Sequence, residues 1–502
     1  MAVGTLDLVT HDDARSASPA VHLEGRATLT YGELAELVGE FERALRHDEK
    51  ALVLCAGDRD LPTLLAYLAA LRLGHAVAFL PASNEILSAY QPEFVVPAPG
   101  QGTGLADLGY SPVAETAPGK AAGTAAGKMI FKRNSGQAAG EIYIDTALLL
   151  TTSGSTGSPK TVRLSCSGLA GNIAAIISAL GITAAERAPT TLPIRHAYGL
   201  SVLNTHLLAG AGIVLGDRSP LSLATWDHLI RSGATSFAAV PTTYAAFGPA
   251  HVNLLGRSKI RTMTQAGARL GDDLTMRLVQ MMNQRDGRFF VMYGQTEASS
   301  RIACLDPADL PHRLGSVGTA VPGGTISIRP APLHSRAVPG EGAVHYRGPG
   351  VMLGYATGRA DLCRGAEVDV LDTGDLGYLR DGYLYLTGRT KRIVKVLGVR
   401  TSLDDLERMV ERPGHPAAVI CGTDDVVHLV GAGDAAVHEQ QRRQLAESLG
   451  VPSRHVVFRH VDHLPRTPGG KVDYQTLATV INSHGGSVGG ADELAATVRP
   501  GT

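Results

Sequence analysis

Residues 149–160 read Leu-Leu-Thr-Thr-Ser-Gly-Ser-Thr-Gly-Ser-Pro-Lys, and this stretch is the most informative part of the chain. The apolar run Ala147 to Leu150 is typical of a strand end. The nine residues after Thr151 include two glycines, five hydroxyl side chains and Lys160. Glycine lets the backbone approach a ligand, hydroxyl groups donate hydrogen bonds, and lysine supplies a mobile positive charge. The stretch therefore predicts a phosphate-binding loop; a solvated Ser/Gly/Thr linker is the alternative.

This loop is not a Walker loop, because the Gly-x-x-x-x-Gly-Lys-Ser/Thr spacing is absent and Pro159 precedes Lys160. It resembles the phosphate loop of the adenylate-forming enzymes: acyl-CoA synthetases, firefly luciferase and the adenylation domains of peptide synthetases. That family's pattern is T-[ST]-G-[ST]-[ST]-G-x-P-K, and residues 152–160 match every fixed position. The resemblance implies that ATP is bound by Thr151, Thr152, Ser153, Gly154, Ser155, Thr156, Gly157 and Lys160.

The bulk composition is typical of a globular chain with more than one domain. At 502 residues the chain is too long for one core, and 44% hydrophobic with 19% charged residues argue against disorder. A net charge of −1 gives no electrostatic footprint for nucleic acid or an anionic membrane. No apolar run reaches the ~18 residues of a membrane span, and acidic residues near the N-terminus argue against a signal peptide. Five scattered cysteines without a C-x-x-C pair indicate a reducing cytoplasm and no metal cluster.

The N-terminal part predicts alternating helices and strands. Thr30 or Tyr31 begins the first helix, with Glu33 placed for a capping interaction. The expected elements are a helix at 31–46, a strand at 51–55, a helix at 61–73 and a strand at 75–80. The last three form a β-α-β unit. Residues 97–140, rich in Gly, Ala and Pro, predict irregular structure, and a strand is expected over 141–150.

The rest of the chain predicts a change of texture. Helices and apolar strands alternate over 169–288, and after Gly315 short strands separated by Pro and Gly indicate a β-rich subdomain. The predicted fold is α/β: a large N-terminal domain, 1–389, of β-α layers plus this subdomain, and a small mobile α+β domain, 390–484. The glycine-rich residues 485–502 predict a flexible tail.

Two further motifs follow the phosphate loop in the family's order. Residues 191–200 (Thr-Leu-Pro-Ile-Arg-His-Ala-Tyr-Gly-Leu) resemble the second motif, in which His196 would gate the acyl pocket. Residues 293–297 (Tyr-Gly-Gln-Thr-Glu) match the Y-G-x-T-E segment. A tyrosine with bare backbone suits a flat base, while Thr296 offers a hydroxyl to phosphate and Glu297 a carboxylate to Mg²⁺. Taken alone, such a segment is an ordinary turn.

The resemblance also assigns roles around these motifs. Residues 340–355 match the next β segment, which is interpreted as mainly structural. At 265–268 the chain has Gln-Ala-Gly-Ala where the family has G-G-A, so Ala266 departs from the pattern. The implied contacts along the adenine or acyl pocket are Gly267, Ala268, Tyr293, Gly294 and Gln295.

Three motifs lie in the C-terminal third. Asp375, in Leu-Asp-Thr-Gly-Asp, can accept from both ribose hydroxyls, with a β-turn role as the alternative. Arg389 resembles the family arginine that reaches the ribose. Residues 464–473 (Leu-Pro-Arg-Thr-Pro-Gly-Gly-Lys-Val-Asp) place Lys471 at the position of the catalytic lysine. The segment 388–400 supplies, against a basic surface turn as the alternative, the hinge Lys391, the nucleotide-binding Lys395 and the thiol-tunnel residue Gly398.

The resemblance implies an ATP-dependent, AMP-forming ligase. An acid attacks the α-phosphorus of ATP, Mg-pyrophosphate leaves, and a thiol then attacks the acyl-adenylate after the small domain rotates. Coenzyme A or a phosphopantetheinyl carrier protein would be the thiol, and transfer to an amine or another non-thiol nucleophile stays open. ATP and Mg²⁺ are the expected cofactors, and the oligomeric state is open.

The acid is expected to be small or aromatic. Amino-acid-activating relatives carry an Asp where this chain has Ala197, so an α-ammonium would be buried without a counter-ion. Arg195, Tyr198, Asn204 and His206 would suit a small polar acid if they face the pocket; the alternative is that Arg195 and His206 face solvent or loops. Nitrite activation for diazo formation in secondary metabolism is a minority alternative, and an inactive binding homologue is less favoured.

Overall fold

The computed structural model describes residues 4–9, 15–25, 28–101, 104–113, 130–134, 140–151, 160–331, 337–396, 399–412, 414–422, 426–449, 451–467 and 471–483. The chain divides into two compact units, residues 1–326 with 346–371 and residues 327–345 with 372–502. Some predicted positions lie outside the described residues: Thr152, Ser153, Gly154, Ser155, Thr156, Gly157, Gly398 and the tail 485–502.

The strands alternate with helices along most of the first unit, and the strands of both units are numbered together here. In chain order they are β1 (Pro19–Leu23), β2 (Leu29–Thr30), β3 (Leu52–Cys55), β4 (Ala76–Phe79), β5 (Phe94–Val96), β6 (Tyr110–Pro112), β7 (Phe131–Arg133), β8 (Thr146–Thr151), β9 (Thr161–Ser165), β10 (Arg187–Pro189), β11 (Gly212–Leu215), β12 (Ser236–Ala239), β13 (Thr262–Gln265), β14 (Arg288–Tyr293), β15 (Ala303–Leu305), β16 (Thr319–Ala320), β17 (Thr325–Arg329), β18 (Gly342–Arg347), β19 (Gly354–Ala356), β20 (Leu371–Arg380), β21 (Tyr383–Arg389), β22 (Ile393–Val396), β23 (Val399–Ser402), β24 (Ala417–Cys421), β25 (Val427–Gly431) and β26 (Val456–His460).

The helices have the lengths expected of packed globular helices. They are α1 (Tyr31–Ala44), α2 (Leu61–Arg72), α3 (Asn84–Tyr90), α4 (Cys166–Leu180), α5 (Ala197–Leu208), α6 (Leu223–Ser232), α7 (Pro241–Ala245), α8 (Pro249–Arg257), α9 (Asp272–Asn283), α10 (Leu403–Val410), α11 (Ala435–Leu449) and α12 (Tyr474–Ser483). None of the helices in the described part of the chain combines the length and apolar character needed to cross a membrane.

The largest sheet of the first unit has the strand order β19-β9-β8-β4-β3-β5-β7-β6. Strand β3 pairs in parallel with β4 and β5, and β4 pairs in parallel with β8. Helix α2 connects β3 to β4, and Asp60 caps it by accepting from the Thr63 N–H at 2.9 Å. A parallel pair is buried by its crossover helices, which explains why every residue of β3 and β4 is apolar and buried. The predicted β-α-β unit is confirmed.

Two local predictions from the sequence differ in outcome. The capping interaction of α1 is present: Thr30 Oγ1 accepts from the Glu33 N–H at 3.2 Å, and Glu33 Oε2 accepts from the Thr30 N–H at 2.8 Å. The strand expected over 141–150 is wrong at its start, because β8 begins only at Thr146. The Thr146 N–H donates to the Tyr143 carbonyl at 2.9 Å and forms a turn. Ile144 lies in this turn and is 55% exposed, although it is apolar.

A five-stranded sheet of the first unit positions the later motifs. Its order is β12-β13-β14-β15-β16, with β12, β13 and β14 parallel and β15 antiparallel to β14. Because parallel strands end at one edge of a sheet, the residues after Gln265 and after Tyr293 emerge at the same edge. A four-stranded sheet, β10-β11-β1-β2, completes the sheets of this unit.

The second unit combines β-rich and α+β parts. A four-stranded sheet, β17-β18-β20-β21, contains mainly its residues, followed by the β22-β23 hairpin and the sheet β24-β25-β26. Val396, Leu403, Val419 and Leu445 share one apolar core that joins α10 and α11 to these strands. The α/β class with β-α layers, a β-rich sheet and a smaller α+β part is confirmed. The boundary near residue 390 and the mobility of the small domain stay predictions.

Candidate active site

The described ends of the predicted phosphate loop are fixed by an antiparallel pair of strands. Thr151 ends β8 opposite Thr161, which begins β9, and Lys160 lies immediately before Thr161. The Lys160 ammonium lies 3.4 Å from the centroid of the Tyr355 ring. A cation over an aromatic face is held by the ring quadrupole, so Lys160 has a defined position next to the hairpin.

Residues 293–302, here called the Tyr-Gly loop, fold tightly between β14 and β15. The Ile302 N–H donates to the Tyr293 carbonyl at 2.9 Å and closes the loop. A Cβ on Gly294 would lie 1.7 Å from the Ser300 carbonyl oxygen, so glycine is required there. Ser299 and Ser300 have φ of +53° and +118°, which is strained for residues with a side chain. Such strain is concentrated at functional loops, and here it presents Thr296 and Glu297, both half-buried, on one turn.

Tyr355 connects this loop to Lys160. Its hydroxyl donates to Glu297 Oε1 at 3.1 Å, and the Glu297 carbonyl accepts from the Met352 N–H at 2.9 Å. Burial, and next the Glu297 carboxylate, raise the pKa of the Tyr355 phenol, so the hydroxyl remains a donor. The sequence interpretation of residues 340–355 as mainly structural missed this side chain. The signal was a tyrosine at the end of that segment, which by itself indicates no partner.

The arrangement fits the donor set that magnesium requires. No cluster of three or more His, Cys, Asp or Glu side chains occurs in the described ranges. Mg²⁺ nevertheless takes only one or two carboxylates together with substrate phosphates, so the oriented Glu297 carboxylate is a sufficient protein ligand.

The residues after β13 lie at the same sheet edge as the Tyr-Gly loop. Gly267 has φ of +98°, which favours glycine, and Ala268 is exposed. The buried Gln265 side chain donates through Nε2 to the Ala268 carbonyl at 2.6 Å and fixes this turn. Ala266, which departs from the family pattern, is buried in an apolar cluster with Ile176 and Met292. The edge therefore exposes backbone suited to a flat base.

The side chains in and after the second motif lie partly in solvent and partly in the interior. His196 is the half-buried residue that precedes α5. Arg195 is exposed, and its guanidinium lies 3.7 Å from Asp58. Tyr198 is inside, with its hydroxyl 2.9 Å from the Thr264 carbonyl, and His206 is buried with Nδ1 2.8 Å from the Val202 carbonyl. Arg195 thus faces solvent, whereas Tyr198 and His206 line a cavity.

That cavity contains a residue that the sequence interpretation missed. Arg301 follows the Y-G-x-T-E segment by four residues, is only 3% exposed, and lines the cavity together with Tyr198 and His206. The signal was an arginine directly before the apolar run Ile302-Ala303, which is unusual for a residue about to enter a buried strand.

The two ribose candidates lie side by side in the second unit. Asp375 and Arg389 are register partners in the β20-β21 pair, and Arg389 Nε lies 3.2 Å from Asp375 Oδ1. The Asp375 N–H donates to Thr373 Oγ1 at 3.1 Å. The Asp375 side chain is 13% exposed and that of Arg389 60%, so a carboxylate and a cation are presented together.

The basic residues of the predicted hinge segment, 388–400, differ in their surroundings. Lys391 is exposed on the turn Thr390–Arg392, and Lys395 is exposed on β22. Arg392 is half-buried, with contacts to Asp404 at 2.5 Å and Glu407 at 2.8 Å. The segment is therefore more than a basic surface turn, because one of its cations anchors α10.

The position of Lys471 is set by its backbone. An antiparallel bridge joins Arg466 and Val472, and the Lys471 carbonyl accepts from the Thr467 N–H at 2.8 Å. The Asp473 N–H donates to the Pro465 carbonyl at 2.8 Å, immediately before α12. Lys471 itself is half-buried. The described ends of this loop are thus tied together, which fixes where the lysine leaves the backbone.

Comparisons with known proteins agree with these motifs. Residues 111–356 match the model of a family described as AMP-binding enzyme. Among curated proteins, the chain is 28% identical to an oxalate–CoA ligase of Arabidopsis thaliana over 66% of this chain and 67% of that protein. It is 31% identical to the non-ribosomal peptide synthetase CmlP of Streptomyces venezuelae, over 70% of this chain but 36% of the synthetase. Among solved structures, ATP-bound MatB from Rhodopseudomonas palustris superposes with a TM-score of 0.72 at 22% identity, covering 95% of this chain and 99% of that one.

Proposed function

We propose that the chain, as an AMP-forming ligase of the AMP-binding enzyme family, activates a small carboxylic acid with ATP and passes the acyl group to a thiol. One observation carries the proposal. Tyr355 holds the Glu297 carboxylate through its hydroxyl and the Lys160 ammonium over its ring. A carboxylate and a cation held by one side chain suit a magnesium-bound polyphosphate, which needs both charges near each other.

Each part of ATP has candidate partners in the chain. We propose that residues 151–160 and Lys160 restrain the β- and γ-phosphates, that Thr296 contacts the α-phosphate, and that Glu297 holds Mg²⁺, which would neutralise phosphate charge when bound. The paired Asp375 and Arg389 suit the ribose hydroxyls, since a carboxylate accepts and a guanidinium donates. The proposed remaining nucleotide contacts are Gly267, Ala268, Tyr293, Gly294, Gln295 and Lys395.

The proposed first half-reaction is an in-line displacement. A carboxylate oxygen of the acid bonds to the α-phosphorus, the bond to the β-phosphate bridging oxygen breaks, and pyrophosphate leaves. Both reactants are anions, so the barrier is lowered mainly by positioning and by cations near the phosphoryl oxygens. Lys471 is proposed to supply such a cation, and His196 to border the acid.

The proposed second half-reaction forms the thioester. A thiol sulfur bonds to the acyl carbon and AMP leaves with the electron pair of the mixed anhydride. Coenzyme A is favoured as the thiol because the curated relative is named as a CoA ligase, and a carrier protein is the alternative that the match to a peptide synthetase supports. Lys391 is proposed as the hinge between the two steps and Gly398 as a residue of the thiol tunnel.

Pyrophosphate exchange into ATP tests this function. Purified protein with Mg²⁺ is given separate acids: short aliphatic, aryl, amino acid and nitrite. Exchange with at least one carboxylic acid, and release of AMP when coenzyme A is added, is the expected result. Exchange with nitrite alone would instead support diazo chemistry, and a folded protein that exchanges with none of them would be an inactive homologue.

Lys471→Ala separates the half-reactions. Loss of a cation that acts on the transition state costs about 10²–10³ in rate. Pyrophosphate exchange should fall by that factor, whereas thioester formation from supplied acyl-adenylate should persist. Lys391→Ala is the matched control for removing a lysine charge, and exchange should survive in it. Equal loss of both half-reactions in Lys471→Ala would contradict the role proposed for this lysine.

A further inference from the structure

Arg301 is buried without a counter-charge. Its residue is 3% exposed, and no carboxylate lies within ion-pair distance of it among the residues that the structure describes. Burial lowers the pKa of the guanidinium, which nevertheless stays charged near neutral pH because arginine titrates so high. A buried charge is unfavourable unless it is paired, and Arg301 lacks a partner of opposite charge among the described residues.

The contacts that Arg301 does make are weak. One guanidinium nitrogen lies 3.4 Å from the Ser300 carbonyl, another 3.3 Å from Ser201 Oγ, and the group lies 4.8 Å from the centroid of the Tyr198 ring. Both hydrogen bonds are longer than the usual 2.7–3.2 Å. Arg301 Nε has no hydrogen-bond partner among the described residues. A bidentate acceptor would satisfy this planar donor group better than any neighbour does.

The space beside Arg301, here called the Arg301 cavity, is small. It has a volume of about 20 Å³, room for about one or two water-sized groups. Glu186 is the carboxylate on its wall, and that group is already near Arg288 at 3.7 Å and His206 at 3.6 Å. The Arg301 cavity therefore admits a small terminal group and offers it a positive charge.

The Arg301 cavity lies close to the proposed site of acid activation. The cavity runs along β12 and β13, from Ser236 and Thr262 at their starts to Ala238 and Thr264. One end of it therefore lies just inside the sheet edge where the Tyr-Gly loop emerges. Thr296 and Arg301 belong to that one closed loop. An acid that presents one end to Thr296 can therefore extend its other end toward Arg301.

We propose that Arg301 recognises a second carboxylate of the substrate, so that the ligase activates one end of a dicarboxylic acid. The planar guanidinium donates two parallel hydrogen bonds to that carboxylate. This inference rests on the proposed ligase function and names its substrate class. The charge of Arg301 then acts in specificity, because an acid with an apolar end would leave the guanidinium buried and unsatisfied.

Matched acid pairs test the proposal. Pyrophosphate exchange is measured for succinate against butanoate, glutarate against pentanoate, and phthalate against benzoate. In at least one pair kcat/KM should favour the diacid about 10-fold or more, the effect of a hydrogen-bonded charged group. Equal use of both members in every pair, or exchange with nitrite and no diacid, overturns the inference. Exchange with monoacids alone leaves the ligase function standing while removing the diacid, whereas no exchange with any acid removes both.

Variants locate the preference at Arg301. Arg301→Met keeps the length and apolar stem but removes the charge, so kcat/KM for the diacid should fall about 10- to 100-fold while that for the monoacid is unchanged or rises. Arg301→Lys keeps the charge without the planar fork and should give an intermediate preference. Arg288→Met, an exposed arginine near the same cavity, is the control and should retain the preference. An equal fall for both acids in a folded Arg301→Met protein also overturns the inference.

Discussion

Two buried arginines of the first unit have opposite surroundings. The Arg163 side chain is fully buried, pairs with Glu367, and donates to the carbonyls of Tyr355 and Arg364. Arg301 is buried almost as deeply but has a hydroxyl, a distant carbonyl and an aromatic ring. A buried charge with a full set of partners is costly to remove, whereas one without them has donors left for a ligand. Partner number, more than burial, distinguishes a structural arginine from a recognition residue.

Arg163→Met should have the largest effect on stability. Removing the buried guanidinium leaves the carbonyls of Tyr355 and Arg364 without these donors, at a cost of about 1–3 kcal/mol for each carbonyl that stays buried. Glu367, whose side chain is 39% exposed, remains hydrated. The free energy of unfolding from urea titration measures it. Arg364→Met is the control, because that exposed guanidinium lies 3.0 Å from the same Glu367 and such pairs contribute only about 0–1 kcal/mol. Equal losses of unfolding free energy in both variants would show that Arg163 contributes no more than an exposed ion pair.

His75 extends the comparison to a buried group that is satisfied only when neutral. Its Nδ1 accepts from the Ala51 N–H at 3.2 Å, and its Nε2 donates to the Leu45 carbonyl at 3.0 Å. Burial lowers the pKa of His75 to about 4, below its ordinary value of 6.5. The contribution is therefore complete above pH 6.5 and is lost as pH falls toward 4, in total about 3 kcal/mol.

A pH series of urea unfolding tests the His75 prediction. Between pH 6 and 4.5 the free energy of unfolding of His75→Gln should fall less steeply than that of the natural chain, by up to about 1.4 kcal/mol per pH unit. Identical slopes would show that His75 takes up a proton in the folded protein.

Tyr355→Phe tests a residue that contacts both the structural arginine and the candidate site. The Tyr355 carbonyl accepts from Arg163, and the Tyr355 hydroxyl donates to Glu297. Only the hydroxyl is removed, and a hydrogen bond to a charged group contributes about 1.5–3 kcal/mol. The Mg²⁺ concentration for half-maximal pyrophosphate exchange should rise about 10-fold or more, with little change in unfolding. Tyr110→Phe, which loses a buried hydrogen bond to the Pro92 carbonyl, is the control and should leave the magnesium dependence unaltered.

Arg301→Met should have the smallest effect on stability. The natural residue makes few good contacts, and an apolar replacement of a poorly paired buried charge is often neutral or stabilising. We expect the free energy of unfolding to change by less than about 1 kcal/mol. A loss as large as that of Arg163→Met would show that Arg301 is structural, and would contradict the distinction drawn between the two arginines.

Local patterns in the sequence predicted the elements that depend on neighbours in the chain. The capped helix α1, the β-α-β unit and the order of motifs all follow from residues a few positions apart. The contact of Tyr355 with Glu297 joins residues 58 positions apart, and that of Arg301 with Ser201 joins residues 100 apart. Such pairs are created by strand order and helix packing, which no local period encodes. The strand predicted at Ile144 is wrong for the same reason, since the apolar side chain lies exposed in a turn outside the sheet.

The hairpin of β8 and β9 fixes where the phosphate loop begins and ends. Thr151 and Thr161 face each other in the ladder, so the sheet and not the loop holds these two ends together. Lengthening such a loop adds only about 0.6 kcal/mol for each doubling of its length. Changes of length within the predicted phosphate loop should therefore cost folding little, because the paired strands already bring its two ends together.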